Sequence, residues 1–395
     1  MLRSNTRALE GPEENVMTRT ARALVNRGLG FMAGLLLAVP TAVAQAPGIP
    51  ARLTDQQFWK LVTESSEAGG FFQSDNLVSN ELTLQQIIPE LVKGRAPGGV
   101  YLGVGPDQNF TYIAAMRPRV AFIVDIRREA MLQHLMYKAL FELAEDRAEF
   151  VSLLFSRPRP AGTSTEAASI QLLEVFYPVK ADSNLYYRTM KAMRDQLTKQ
   201  HGFSLSTDDF AAIEFVFTSF YLAGPDISYN YGSGFSGRNR GMPSFADLMV
   251  ATDAQGVNRG FLANEQLYGV VRQMQLRNLV VPVVGDFAGP RALRAVGDFL
   301  RSYGAVTSAI YTSNVEQYLF REPHKWRQYY DNVATLPIDS MTTFVRAVFN
   351  FGYSGGGSGA RSITMLQPVT ELLKAVREGK VQSYFDVVNM SRTVW

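Results

Sequence analysis

The sequence predicts an α/β protein with a doubly wound, mostly parallel, Rossmann-like sheet, preceded by N-terminal helices and interrupted by a helical insertion. Near-continuous apolar runs occupy residues 100–102, 120–124 and 279–284, and helical patterns separate them. Buried strands of a parallel sheet have this composition, whereas exposed strands alternate. Each run also ends in glycine or a polar residue, at the edge where open parallel sheets bind ligands.

The composition indicates a folded protein and excludes several classes of site. The chain has 395 residues, of which 46% are hydrophobic and 19% charged, and its net charge is +3. The absence of cysteine excludes disulfides, thiolate metal sites, iron–sulfur clusters and a cysteine nucleophile. A charge of +3 without a Lys/Arg run gives no support to nucleic-acid binding, so a small molecule is the expected partner.

The N-terminus has the pattern of a secretory signal peptide over residues 1–44, with Met17 as the expected start. Three arginines precede an apolar stretch at 28–44, which closes with Ala42-Val43-Ala44. Cleavage near Gln45 would give a periplasmic or secreted protein. The alternative is an inner-membrane anchor formed by residues 28–44, and no other membrane contact is expected.

After a linker at 45–53, residues 54–395 are predicted to form a single domain. Thr54 and Gln57 form a capping-box pattern at a first helix, and a second helix is expected to start near Ser79. Helices are expected from the turn at 103–107 to residue 117 and over 129–144. Together with the runs at 100–102 and 120–124, they make a βαβ unit.

The insertion covers about 146–277 and is predicted to be mostly helical. Within it, 210–222 is apolar nearly all round and predicts a buried helix, and 224–241 predicts a long loop. The α/β pattern resumes with strands at 279–284, 306–311 and 342–349, and with helices ending near 303 and spanning 369–376.

A ligand site is predicted at the strand ends. Its candidate cofactor-binding residues, in chain order, are Gly103, Gly105, Asp107, Asp125, Asp286 and Asn314, with Ser313 beside the last. Asp125 follows Gly105 by 20 residues, the offset at which an acid at a strand end accepts hydrogen bonds from a ribose. Gln108 replaces the third glycine of the dinucleotide fingerprint, so the pattern predicts a nucleoside-type ligand without fixing its identity.

The glycine turn and Asp125 resemble motif I and the ribose-binding acid of class I S-adenosylmethionine-dependent methyltransferases. Three further segments, Phe72–Glu81, Val281–Pro290 and Tyr311–Leu319, resemble an uncharacterised bacterial family with such a methyltransferase-like domain and no assigned reaction. The resemblance runs from about residue 54 to the C-terminus. It implies a Rossmann-like fold, S-adenosylmethionine as cofactor, and Gly103, Gly105 and Asp125 as the residues holding it.

Other patterns have simpler interpretations. Gly352–Gly356 matches the hydrolase motif G-x-S-x-G, but all three histidines precede it, and a flexible loop fits better. The loop at 224–241 is either a lid or a plain connection. His134 is expected to be structural or on the surface, and His201 and His324 to lie in loops without metal partners. Glu81 and Glu265 are interpreted as acids at helix starts.

Two functions therefore remain open. The first is an exported S-adenosylmethionine-dependent transferase without a metal, whose catalytic residues and oligomeric state the sequence leaves unknown. The second is a non-catalytic periplasmic or envelope binding protein on the same scaffold, which the altered glycine motif favours.

Overall fold

A computed structural model describes residues 48–230, 242–349 and 362–394 of the chain. From residue 48 onward these residues belong to one compact unit. The predicted signal peptide 1–44 lies outside the described residues, as do Met17, Gln45 and the proposed cleavage site. The G-x-S-x-G segment and part of the 224–241 loop lie outside them as well.

Within the described residues, six strands form one sheet in the order β3-β2-β1-β4-β5-β6. Strands β1 to β5 are parallel to one another, and β6 runs antiparallel to β5 at the edge. The strands are β1 Val100–Gly103, β2 Val120–Asp125, β3 Val280–Val284, β4 Thr307–Ser313, β5 Ile338–Phe349 and β6 Ser362–Pro368. The predicted mostly parallel α/β sheet is confirmed, and the strand order reverses between β1 and β4 as in Rossmann-like folds.

The helices pack in two groups, as right-handed crossovers from this strand order require. In the described residues they are α1 Asp55–Ser65, α2 Ile88–Val92, α3 Gln108–Met116, α4 Arg128–Leu143, α5 Arg147–Phe155, α6 Ser169–Phe176, α7 Ser183–Asp195, α8 Thr207–Ala223, α9 Phe245–Val250, α10 Glu265–Leu276, α11 Ala292–Ser302, α12 Val315–Leu319, α13 Pro323–Val333, α14 Val369–Arg377 and α15 Tyr384–Asn389. Helix α10 contacts α3 and α4, whereas α11 contacts α1 and α13.

Burial explains why the central strands are so apolar. Every residue of β1, β2 and β3 is buried, because helices cover the sheet. Helix α1 begins with the predicted capping box, in which Thr54 and Gln57 exchange side-chain and backbone hydrogen bonds. The predicted helical insertion contains α5 to α10, and its helix α8 packs on α4 and α5.

Three predictions about local structure were wrong. Residues 79–87 form turns instead of a helix, and α2 begins only at Ile88, because Pro89 is tolerated only in a first helical turn. Helix α8 is not buried all round, since Phe215 is 48% exposed and Leu222 is 61% exposed. His324 lies in the first turn of α13 and not in a loop.

The antiparallel strand β6 was not predicted from the sequence. It pairs with β5 from Phe349 opposite Ser362 to Thr343 opposite Pro368. Strand β6 is the last strand of the sheet and, among the described strands, pairs only with β5. It therefore widens the sheet and leaves the carboxyl ends of β1 to β4, where the ligand site is predicted, unchanged.

Candidate functional site

A cavity of about 260 Å³ lies at the carboxyl ends of β1 to β4, around the point where the strand order reverses. Small-molecule sites in parallel α/β sheets occupy this position. The three segments singled out in the sequence all contribute to its wall, which includes Phe72, Asn76, Ser79, Asn80, Glu81, Gly105, Gln108, Asp125, Arg127, Tyr229, Asp286, Ser313, Asn314, Tyr318 and Lys325.

The turn between β1 and α3 brings main chain against the cavity. Gly105 lines the cavity with a left-handed φ of +76°, a conformation that favours glycine. The Asn109 amide donates hydrogen bonds to the carbonyls of residues 104, 105 and 106 and fixes the turn. Gly103 is not among the lining residues, because it serves the turn: a Cβ there would overlap the Asn109 Oδ1 atom.

Asp107, the third predicted ligand residue, is likewise not among the residues that line the cavity. Its side chain is fully buried, and its Oδ1 atom accepts a hydrogen bond from the Ser79 backbone N–H at 3.0 Å. Burial raises the pKa of Asp107 to about 6, although the hydrogen bond from Ser79 opposes the shift. The side chain therefore ties the glycine turn to the segment that passes over it.

Asp125 lines the cavity at the end of β2, as predicted, but a neighbouring cation engages it. The Arg127 backbone N–H donates to Oδ1 at 2.9 Å, and the Arg127 guanidinium lies 3.3 Å from Oδ1 and 3.4 Å from Oδ2. The same guanidinium donates to the Asp75 carbonyl at 2.6 Å. Since a carboxylate offers about four lone-pair sites, Asp125 keeps acceptor capacity for a ligand.

Asp286 and Asn314 also line the cavity, from the ends of β3 and β4. The Asp286 Oδ2 atom lies 3.8 Å from Nζ of Lys325, which comes from α13. Four of the six predicted ligand residues therefore meet at one cavity, namely Gly105, Asp125, Asp286 and Asn314.

Residues 67–81, the covering segment, form the outer wall. Backbone N–H groups of Glu67 and Gly70 donate to the last carbonyls of the neighbouring strands, Val284 and Ile126. Leu77 N–H donates to the carbonyl of Tyr229, and the Phe72 ring meets the Tyr318 ring edge-on at 5.2 Å. These contacts place the end of the covering segment against the sheet edge.

Glu81, at the end of the covering segment, is the residue that the sequence interpretation missed. It is 1% exposed and precedes no helix. Its Oε1 atom accepts hydrogen bonds from the hydroxyls of Tyr311, at 2.6 Å, and Ser313. Burial raises the pKa of Glu81 to about 7, against the opposing effect of these two hydrogen bonds. The apolar residues at 84, 87, 88 and 91 have helical spacing, so no local pattern distinguished Glu81 from an acid at a helix start.

One family model matches the chain, over residues 76–214 and 228–389, and its description is "Domain of unknown function (DUF7790)". The chain belongs to the DUF7790 family. No curated protein matches the chain. The family description assigns no reaction, so it neither supports nor conflicts with the methyltransferase-like resemblance.

The DUF7790 chain carries two buried histidines, and both have structural partners. His134 Nε2 lies 2.8 Å from the Gly105 carbonyl, and burial lowers the pKa of His134 to about 4. His201 lies between Asp55, at 2.7 Å, and Glu142, at 2.6 Å. In the described ranges, no three His, Asp or Glu side chains are grouped as metal ligands. No described helix is both long and apolar enough to cross a bilayer.

Glu265 fits its sequence interpretation. It is the first residue of α10, where the Asn264 side chain accepts a hydrogen bond from the Leu267 N–H. Glu265 also pairs with the buried Arg147 at 3.0 Å. It therefore stabilises the insertion and lies outside the cavity.

Proposed function

We propose that the cavity binds a nucleoside-type ligand, with S-adenosylmethionine as the first candidate. We propose further that this DUF7790 protein is an exported transferase. One observation carries the proposal: the Gly105 turn and Asp125 line the same cavity at the point where the strand order reverses. The glycine lets the main chain approach a ligand closely, and the acid accepts ribose hydroxyls. We also propose that the domain is methyltransferase-like.

The residues present fit such a ligand. Asp125 would accept a ribose hydroxyl through the remaining lone pair of Oδ2, and Gly105 would face the nucleoside. Lys325 and Asp286 are neighbouring groups of opposite charge, which suit the carboxylate and ammonium of an amino-acid moiety. When bound, S-adenosylmethionine would supply a methyl group activated by a sulfonium.

Gln108 favours a nucleoside over a dinucleotide. Its Nε2 atom lies 3.0 Å from the Tyr311 hydroxyl and 3.4 Å from the Val104 carbonyl, so the side chain extends over the glycine turn. In dinucleotide sites the second glycine lets the main chain approach the pyrophosphate, and the third allows the helix to pack closely on the strand. The Gln108 amide lies against Gly105, which is the second glycine here, and it crowds the place where a pyrophosphate would approach.

The Asp125–Arg127 ion pair favours a second candidate, a non-catalytic binding protein. Arg127 already contacts both carboxylate oxygens, so most of the acceptor capacity of Asp125 is used before any ligand arrives. We would expect this arrangement in a scaffold whose ribose-binding acid had become part of a structural ion pair.

Calorimetry of the full chain with S-adenosylmethionine and S-adenosylhomocysteine tests the proposal. We expect a micromolar Kd, weakened about tenfold or more, ~1.4 kcal/mol, by Asp125→Ala. Asp298→Ala is the matched control, because Asp298 is 75% exposed and pairs with Arg301 on the surface. No heat at millimolar ligand would refute the proposal, and binding without transfer to any acceptor would favour the second candidate.

A further inference from the structure

Glu81 is a buried acid that lines the cavity, and one of its carboxyl oxygens has no hydrogen-bond partner in the described part of the chain. Its Oε1 atom accepts hydrogen bonds from two hydroxyls of β4, whereas Oε2 has no hydrogen-bond partner among the described residues. The Glu81 backbone is fixed as well, because its N–H donates to the Ser79 hydroxyl at 3.1 Å. The carboxyl group therefore has one oxygen that accepts two hydrogen bonds and one buried oxygen that accepts none from the described residues.

No cationic side chain is among the groups whose charge acts on Glu81 in the described residues. The nearest acidic group that acts on it is Asp107, which raises its pKa further. The other titratable groups that act with it are the phenols of Tyr101, Tyr112, Tyr311 and Tyr384, all buried and neutral. A buried carboxyl group without a cation costs stability, so a role in function explains its presence better than a role in folding.

A neighbouring amide presents the same kind of unused atom. Gln108 donates through Nε2 to the Tyr311 hydroxyl, which donates in turn to Glu81. The Gln108 Oε1 atom, like Glu81 Oε2, has no partner in the described part of the chain. Both residues line the cavity. An occupant that donates hydrogen bonds, namely a hydroxyl or an amine, would satisfy these two acceptors.

We propose that Glu81 is the catalytic base of this cavity and that the acceptor substrate presents a hydroxyl or amine group to Glu81 Oε2. The proton of that O–H or N–H passes to Oε2, and the electron pair stays on the substrate oxygen or nitrogen. The Tyr311 and Ser313 hydroxyls hold the other oxygen throughout. This inference rests on the proposed transferase function, which needs a nucleophile of this kind.

A pKa near neutrality supports this role, because a base with a pKa close to the working pH both accepts and releases its proton readily. Glu81 thus combines position, an available oxygen and a suitable proton affinity. Asp125 and Asp286 lack that combination, since a basic side chain lies beside each of them.

The test follows the Glu81 carboxyl by NMR of the full chain labelled with ¹³C-glutamate, with catechol and ethanolamine as probes. In the free protein, one carboxyl should titrate with a midpoint near pH 7, and Glu81→Gln should remove that signal. At least one probe should lower the midpoint by about one pH unit or more, because a donated hydrogen bond favours the carboxylate. Glu81→Gln should weaken binding of that probe about tenfold or more.

Glu174→Gln is the matched control, since Glu174 is exposed on α6. Failure of both probes to move the Glu81 midpoint in the wild-type chain would overturn the inference, with no variant involved. Equal probe binding by wild type and Glu81→Gln would also overturn it. S-adenosylmethionine binding measured alongside separates the two proposals, because its absence would refute the cofactor while the Glu81 titration still reports on the base.

Discussion

Replacing Glu81 by glutamine should make the protein more stable at alkaline pH and leave its stability at acidic pH almost unchanged. The folded state holds Glu81 at a pKa of about 7, whereas the ordinary value is 4.5. A raised acid pKa means that the folded state binds the proton more tightly than the unfolded chain does. The stability from this protonation is complete below pH 4.5 and is lost as the pH rises through 7.

The magnitude follows from the two pKa values. At 1.36 kcal/mol for each pKa unit, the difference corresponds to about 3 kcal/mol in the free energy of unfolding. Glu81 is fully buried, so solvent does not screen this effect. Between pH 5 and pH 8, wild type should lose about 2 to 3 kcal/mol relative to Glu81→Gln.

Urea denaturation at pH 5, 6, 7 and 8 measures this difference, and comparison between the two proteins cancels the titration of every other group. Glu174→Gln should differ from wild type by the same amount at every pH, because that side chain is exposed. A difference between wild type and Glu81→Gln that stays constant from pH 5 to pH 8 would refute the argument. It would mean that Glu81 is solvated or paired in solution.

Three other changes test the framework around the site. Arg346→Met leaves the Glu316 carboxylate, 1% exposed and 2.7 Å from Arg346, buried without its cation. The free energy of urea unfolding should fall by about 3 kcal/mol or more, and a loss below ~1 kcal/mol would contradict this. Gly103→Ala should displace the Asn109 amide that fixes the ligand turn and lower Tm, whereas an unchanged Tm would show that the turn adapts. His201 is buried, which lowers its pKa, but its two acidic neighbours outweigh burial and raise it. Its stabilisation is therefore present below about pH 6.5 and lost as pH rises through the raised value; urea unfolding of His201→Gln should show no such loss relative to wild type.

The sheet and half of its ligand edge could be predicted because their signals are local. Apolar runs of three to six residues mark buried strands, and Gly105 and Asp125 lie within three residues of the end of such a run. The carboxyl ends of parallel strands meet at one edge, so a strand assignment also predicts which side chains come together.

The remaining site residues depend on contacts that no local pattern encodes. Glu81 meets Tyr311 across 230 residues of chain, and only the path of the covering segment places it at the cavity. A single acid after Asn80 also resembles a helix start, whereas the helix begins only at Ile88, with Pro89 in its first turn. The ion pair between Arg127 and Asp125 was missed for a different reason. A basic residue two positions after a predicted ribose acid does not show in the sequence that its side chain contacts that acid.

Gly103 and Asp107 were predicted to contact a ligand, but they support the turn behind the cavity. The sequence pattern could not show this either. The pattern G-x-G-x-D places both near a strand end, but it does not say which side chain or main-chain atom faces the ligand. The Asn109 side chain occupies the space beside Gly103. The Ser79 backbone N–H donates a hydrogen bond to the Asp107 carboxylate, which holds that side chain outside the cavity lining. Packing behind the turn decides these orientations.

A crystal structure of the full chain grown with S-adenosylhomocysteine tests the central claim most directly. The account predicts ligand density at the carboxyl ends of β1 to β4, with the ribose hydroxyls within hydrogen-bond distance of Asp125 and the nucleoside against Gly105. Density for the ligand elsewhere on the chain would contradict the account. So would an empty cavity with the Asp125–Arg127 pair unchanged in crystals soaked at millimolar ligand.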